Sequence, residues 1–171
     1  VPVTMWSSAV YAGQGANGED RVLVAGGTEI KNSNGTVSAP IPPTAARLYM
    51  LTVTTDSVSV KNVTMTDEES VRFKRVAATL TDAGEGQYWF FGGVTSYSND
   101  ADVCPNQSGG GCFPEQMSRF SITGTEPTLQ LATETLTGMS VGPLGALAVD
   151  LGDESSLLVG GLRSAGVDAL D

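Results

Sequence analysis

The sequence predicts an all-β fold assembled from tandem four-stranded antiparallel units. Three observations carry that prediction. Apolar runs end on a Gly-Gly pair three times, in "RVLVAGGT", "QYWFFGGV" and "SLLVGGLR". The pairs Gly26-Gly27, Gly92-Gly93 and Gly160-Gly161 recur at a nearly constant spacing, 66 residues from Gly26 to Gly92 and 68 from Gly92 to Gly160. Around each pair the same order of strands and turns repeats.

The first hairpin of each unit comes from the residues upstream of the glycines. The segments "SSAVYAGQGANGED", "RVAATLTDAGEG" and "GALAVDLGDES" each pass from an apolar stretch through a polar, Gly-containing turn into the Gly-Gly strand, which is the pattern of a β-hairpin. A second hairpin lies downstream. "ARLYMLTVTTDSVSVKNV" at 46–63 matches "SRFSITGTEPTLQLATETL" at 118–136: an Arg, an apolar stretch, a Thr-containing turn and a second strand, with period-two alternation in "SVSV" and "TLQL". Each unit is expected to hold four strands, with its long excess in the loops 29–45 and 95–116.

Four antiparallel strands repeated in tandem are the sequence form of a β-propeller blade. The Gly-Gly strand ends resemble the kelch-type propeller repeat, the type of the galactose-oxidase central domain, in which an apolar second strand closes on two glycines. That family also places a Tyr and then a Trp after the glycines; Tyr49 and Tyr97 are loose counterparts, and the pair is not in register. The resemblance implies blades at 1–66 and 67–138 and a half blade at 139–171, about two and a half in all. A propeller closes with roughly four or more blades. The piece is therefore expected to belong to a longer chain or to join other subunits, since strand edges and apolar faces such as those of "YWFF" and "SLLV" lack partners within it. The rival architecture is a β-sandwich, which about ten short strands also suit; helical periodicity long enough for an α/β fold is absent from the sequence.

Charge and composition narrow the function. Of 171 residues 40% are hydrophobic, which is the make-up of a folded domain. Nine Lys and Arg against 19 Asp and Glu give a formal charge of −10, which repels phosphate backbones and anionic membranes, so nucleic acid is not an expected partner. No apolar run reaches the length of about 18 residues needed for a spanning helix, and membrane insertion is not expected. Val1 stands where an initiator Met would, which reads as a processed product or an excised piece.

Cys104 and Cys112 flank "PNQSGGG" in the second long loop. A local disulfide is the expected state and points to an oxidising compartment; two free thiols or a metal site are the alternatives. Three N-x-Ser/Thr sequons, at Asn34, Asn62 and Asn106, agree with an extracellular or cell-surface glycoprotein. Asn34 and Asn106 fall in the long loops, Asn62 late in an outer strand.

Catalytic chemistry has few carriers. The chain holds no His, which removes Ser-His-Asp and Cys-His nucleophile systems and the His ligands of copper and most catalytic zinc sites. "GQGANG" at 13–18 reads as a hairpin turn, not a phosphate loop. The carboxylates of the hairpin turns remain: Glu19 and Asp20, Asp82 and Glu85, then Asp150, Asp153 and Glu154. Stacked turns of this kind can bind calcium or form an acid/base pair for glycoside hydrolysis, whereas the plainer reading is that they keep exposed turns solvated. No catalytic residue and no cofactor is assigned. The expected function is a non-catalytic binding or assembly module whose partners are other subunits or the rest of a longer chain, with glycans as further ligands; the alternative is a fragment of an extracellular carbohydrate-active enzyme with its catalytic residues elsewhere.

Peptide mapping of native material without reduction is expected to recover Cys104 and Cys112 in one linked species. Glycosidase treatment is expected to shift the peptides of Asn34 or Asn106 in preference to that of Asn62. Free thiols with bare asparagines would remove the argument for a secreted protein.

Overall fold

The computed structural model of the chain describes residues 4–33, 36–38, 45–95, 107–108, 111–112, 117–132, 147–152 and 155–159. The Gly160-Gly161 pair, Cys104, Asn34, Asn106, Tyr97, Asp153 and Glu154 lie outside the described residues.

The first sheet is an antiparallel meander of β1 (Thr4–Gln14), β2 (Asp20–Glu29), β5 (Leu48–Val53) and β6 (Val58–Asn62), in that spatial order; between β2 and β5 the short strands β3 (Lys31–Ser33) and β4 (Thr36–Ser38) form a hairpin of their own. The helix α1 (Asp67–Phe73) then leads into a second meander of β7 (Arg75–Gly84), β8 (Gln87–Thr95), β11 (Ser118–Thr123) and β12 (Thr128–Leu131). Here too a short hairpin follows the second strand, β9 (Gln107–Ser108) with β10 (Gly111–Cys112), and β10 extends the sheet by pairing Cys112 with Thr95. A third hairpin, β13 (Leu147–Gly152) with β14 (Ser155–Val159), lies against β7. The described fold is thus all-β with two four-stranded antiparallel meanders, as the repeated hairpins predict.

The repeat reaches into local geometry. In all three first hairpins the register shifts at the turn end, between Tyr11 and Gln14, between Asp82 and Gly84, and between Asp150 and Gly152. At the other end, Gly26 and Gly27 have φ of 69° and 85°, and Gly92 and Gly93 have φ of 68° and 79°. Opposite each pair one non-glycine residue also takes a left-handed backbone: Trp6 (φ 57°), between the pairs Met5–Thr28 and Ser7–Gly26, and Ala77 (φ 54°), between Val76–Val94 and Ala78–Gly92. Two strands related only by the repeat carry the same kink.

These glycines do not terminate their strands. β2 continues through Glu29 and β8 through Thr95, so the expectation that the strands end on Gly-Gly is corrected: the pair bends a strand that goes on. The steric reason for glycine holds. A Cβ on Gly26 would stand 2.7 Å from the carbonyl oxygen of Arg75 in the neighbouring sheet, and one on Gly93 would stand 2.6 Å from that of Val76. Both distances lie well inside van der Waals contact, and the left-handed φ adds to the cost for any L side chain.

The core lies between the two meanders. Leu23 and Ala25 of β2 and Leu48 of β5 meet Ala78, Leu80, Tyr88, Phe90, Phe120 and Leu129 of the second sheet, all buried. Alternation explains the selection, because Leu23 and Ala25 share one face of β2 while Val22 and Val24 point the other way. The helix closes one end of this layer. Its start is a capping box, in which Thr66 Oγ1 accepts from the Glu69 backbone N–H and the Glu69 carboxylate accepts from that of Thr66. Seven residues are too few for an autonomous helix. Phe73 supplies the anchor, stacked on Phe90 at 5.1 Å and edge-on to Phe120 at 5.2 Å.

The apolar run "YWFF" is not left uncovered. Tyr88 and Phe90 are buried toward the first sheet and Phe91 is buried on the opposite face, so the expectation that this strand lacks partners is corrected. β7, at the edge of its sheet, is protected as well: Ser8 Oγ accepts from the Leu80 backbone N–H at 3.1 Å. At the far edge, Thr64 and β12 exchange hydrogen bonds, from Thr64 N–H to the Pro127 carbonyl and from Leu129 N–H to the Thr64 carbonyl.

Replacing Gly93 with Ala is expected to lower the unfolding free energy by about 2–4 kcal/mol, combining left-handed strain with a backbone clash. Gly86→Ala is the internal control, since its φ is 73° but its Cβ would meet nothing within 4 Å; about 1 kcal/mol is expected there. Urea unfolding midpoints at unchanged slope measure both, and equal losses would refute the close-approach argument.

Candidate functional site

The turn ends of the two meanders leave a cleft of about 500 Å³ between them. One wall comes from the β1–β2 turn and the adjoining strands, with Asn17, Glu19, Arg21, Thr52 and Lys61; the other comes from Tyr88, Ile122 and the β11–β12 turn at Gly124–Pro127.

Glu19 organises this wall. Its carboxylate accepts from Arg21 Nη2 at 3.0 Å and from the Asn17 backbone N–H at 3.0 Å. Its pKa is lowered, first by a hydrogen bond from its own backbone amide and next by Arg21. Gly15 lies directly over this arrangement, where a Cβ would overlap the Glu19 carboxylate. Across the mouth Lys61 Nζ joins the sheets, donating to Glu126 Oε1 at 2.8 Å and to the Thr125 carbonyl at 3.3 Å. Both partners are exposed, so this pair contributes less than about 1 kcal/mol. Tyr88 at the floor has its pKa raised, by burial and then by the charge of Asp82.

These shifts define what the cleft offers chemically. A general acid near neutral pH needs a raised carboxyl pKa, and Glu19 moves the other way. Tyr88 is held protonated. The lining therefore presents fixed charges and hydrogen-bonding groups to a ligand, with Asn17, Thr52, Ser59 and Lys61 as its polar contacts.

The other described acidic residues of the turns do not gather here. Asp20 accepts from the Tyr11 hydroxyl at 2.9 Å on the far side of the first sheet, and that bond raises the Tyr11 pKa. Asp82 Oδ1 accepts from the Gly84 backbone N–H at 2.9 Å within its own turn, and Glu85 sits at the exposed tip with φ of 52°. Asp150 lies in β13. Among the described residues no group of three or more Asp, Glu or Cys side chains is placed to hold a metal ion.

Asn62 ends β6, exposed and paired across from Tyr49. Cys112 is placed by its backbone in β10, while its expected partner Cys104 is outside the described residues. Tyr49, the loose counterpart of the kelch tyrosine, accepts a 3.4 Å hydrogen bond from Arg47. The interactions that join the two cleft walls, such as Lys61 with Glu126, involve residues 65 positions apart, and no spacing rule in the sequence announces them. No protein-family model and no curated protein matches this chain.

The lowered Glu19 pKa fixes the sign of a pH effect. A depressed folded-state pKa contributes stability that is present above the unfolded glutamate value, about 4.3, and is lost as pH falls through the folded value. Glu19→Gln is therefore expected to flatten the acid limb of stability against pH while leaving the neutral range parallel to the native chain. Urea unfolding between pH 2 and about 7 checks it, and an unchanged acid limb would sink the assignment.

Proposed function

We propose that this chain is a non-catalytic binding or assembly module of a secreted or cell-surface glycoprotein, built from successive blades of a kelch-like propeller and acting through its strand edges and long loops. The observation that carries the reading is the location of its exposed apolar side chains. Tyr11 and Val58 are 55% and 59% exposed on the first sheet, and Leu157 and Val159 are 50% and 49% exposed on the third hairpin. Apolar surface concentrated at the two ends of a stack of sheets is contact surface.

The blade reading draws support from the left-handed kink that two first hairpins share and from the register shift that all three share. Short hairpins follow β2 and β8 at the same point of each unit, which agrees with a repeated blade design. The net charge of −10 opposes association of copies at long range, so association driven by apolar contact is expected to strengthen as salt screens that repulsion.

Sedimentation velocity of the 171-residue chain is expected to show a weight-average mass that rises with protein concentration, and more steeply at about 0.5 M salt than at about 0.05 M. A sharply monomeric species that unfolds cooperatively over the whole range would overturn the assembly reading and favour a self-contained sandwich.

A further inference from the structure

The sheets stack in one direction, face to opposite face. Counting back from the first glycine of each pair puts residues at equivalent positions: Val22 and Val24 with Tyr88 and Phe90, and Leu23 and Ala25 with Leu157 and Val159. Inside the chain, the face of β2 with Leu23 and Ala25 packs against the face of β8 with Tyr88 and Phe90, and all four residues are buried. Among the described residues each of the two faces occurs once more, with Tyr11, Val58, Leu157 and Val159 about half exposed on them. The first sheet presents the counterpart of the Tyr88–Phe90 face, and the third hairpin presents, half exposed, the counterpart of the Leu23–Ala25 face.

The open face of the first sheet is apolar across its width. Register places Tyr11, Val22, Leu51 and Val60 in one row, with Ala9, Val24, Tyr49 and Asn62 in the next and Val53 with Val58 beside them. No Lys or Arg occurs in these rows; Asp20, at the turn end, is bonded to Tyr11, and Arg47, one row beyond, donates to the Tyr49 hydroxyl. The covered interface sets Leu and Ala against Tyr and Phe, and the open pair would set Leu and Val against two Val.

We infer that the outer face of the β1-β2-β5-β6 sheet docks the β13–β14 hairpin of a second copy of this chain, head to tail, reproducing between copies the face pairing that holds the two meanders together within one. The inference rests on the assembly reading above and adds which surfaces meet. One chain carries both halves of the contact, so the interface is heterologous: each end binds the other, and neither binds itself. Asn62 shares the docking face, and a glycan there would obstruct it.

That asymmetry gives a decisive test in protein produced without N-glycans. The face variant Tyr11→Glu/Val58→Glu and the hairpin variant Leu157→Asp/Val159→Asp alter only side chains that are about half exposed or more. Val58→Glu alone and far-UV circular dichroism of every variant guard against misfolding. Each double variant by itself is expected to sediment as a monomer, with association weakened more than about 100-fold by unpaired charge at an apolar contact. An equimolar mixture is expected to recover a one-to-one dimer, because the face variant keeps a working hairpin and the hairpin variant keeps a working face. Loss in the face variant only, or a mixture that stays monomeric, overturns head-to-tail docking. Association that survives both variants overturns it too, while leaving assembly through edges and loops in place; a native chain that never associates removes both readings together.

Discussion

The close approach of backbone to backbone beside the glycine pairs is the constraint on which the rest of this structure depends. Gly26 of the first sheet sits against the Arg75 carbonyl at the start of the second, with no room for a Cβ between them. That contact lets β2 lie beside β7, which brings Leu23 and Ala25 down onto the Tyr88–Phe90 face, where Phe73 packs against Phe90 and Phe120. Arg75 itself is drawn inside by the same approach. It is wholly buried, its guanidinium lies 5.7 Å from the ring centre of Phe90, and burial lowers its pKa to about 9. A charged group taken this far from water is costly, and the chain meets that cost at the point where its two sheets come nearest.

From this contact follows the gradient of burial through the molecule. The second sheet has neighbours on both sides, and its residues Val76, Thr79, Thr81 and Phe91 are buried as well as those that face the first sheet. Among the described residues, the first sheet is covered on the face that carries Leu23 and Ala25. The third hairpin has only two strands, which are marginal in water by themselves, and it borrows its support from β7. Stability in the middle of the stack consequently draws on the apolar contact between the two meanders.

Much of this was legible in the residues and some was not, for identifiable reasons. Alternation in "SVSV" and "TLQL" placed β6 and β12, and the polar turns placed three first hairpins, because both depend on local chemistry. The course of β2 and β8 past their glycines was not legible, since two residues with positive φ inside a ladder look in sequence like a strand end. The left-handed backbone at Trp6 and Ala77 was hidden further, because neither residue type favours it and only the opposite strand enforces it. The signal for α1 was present in "TDEES", a Ser/Thr-x-x-Glu capping box, but seven residues contain too few turns for periodicity to show. The aromatic strand looked unpartnered because its cover comes from Leu23, Phe73 and Phe120, all distant in sequence.

The cleft and the faces also differ in what they can contribute. The cleft's charges are committed to one another, Glu19 to Arg21 and Lys61 to Glu126, and a ligand there has to compete with bonds already made or use the neutral groups between them. On the open face of the first sheet Tyr11 is bonded to Asp20 and Tyr49 to Arg47, while the aliphatic side chains gain simply by leaving water, at roughly 25 cal/mol for each Å² covered. A polar groove with satisfied charges gives selectivity but little net drive, whereas an apolar sheet face gives drive and takes its selectivity from shape. In this chain the shape is specified twice over, by the kinked Gly-Gly strands that set how closely one sheet may approach the next. Inside the chain, the fit of one sheet to the next and the folding of the core are then the same operation.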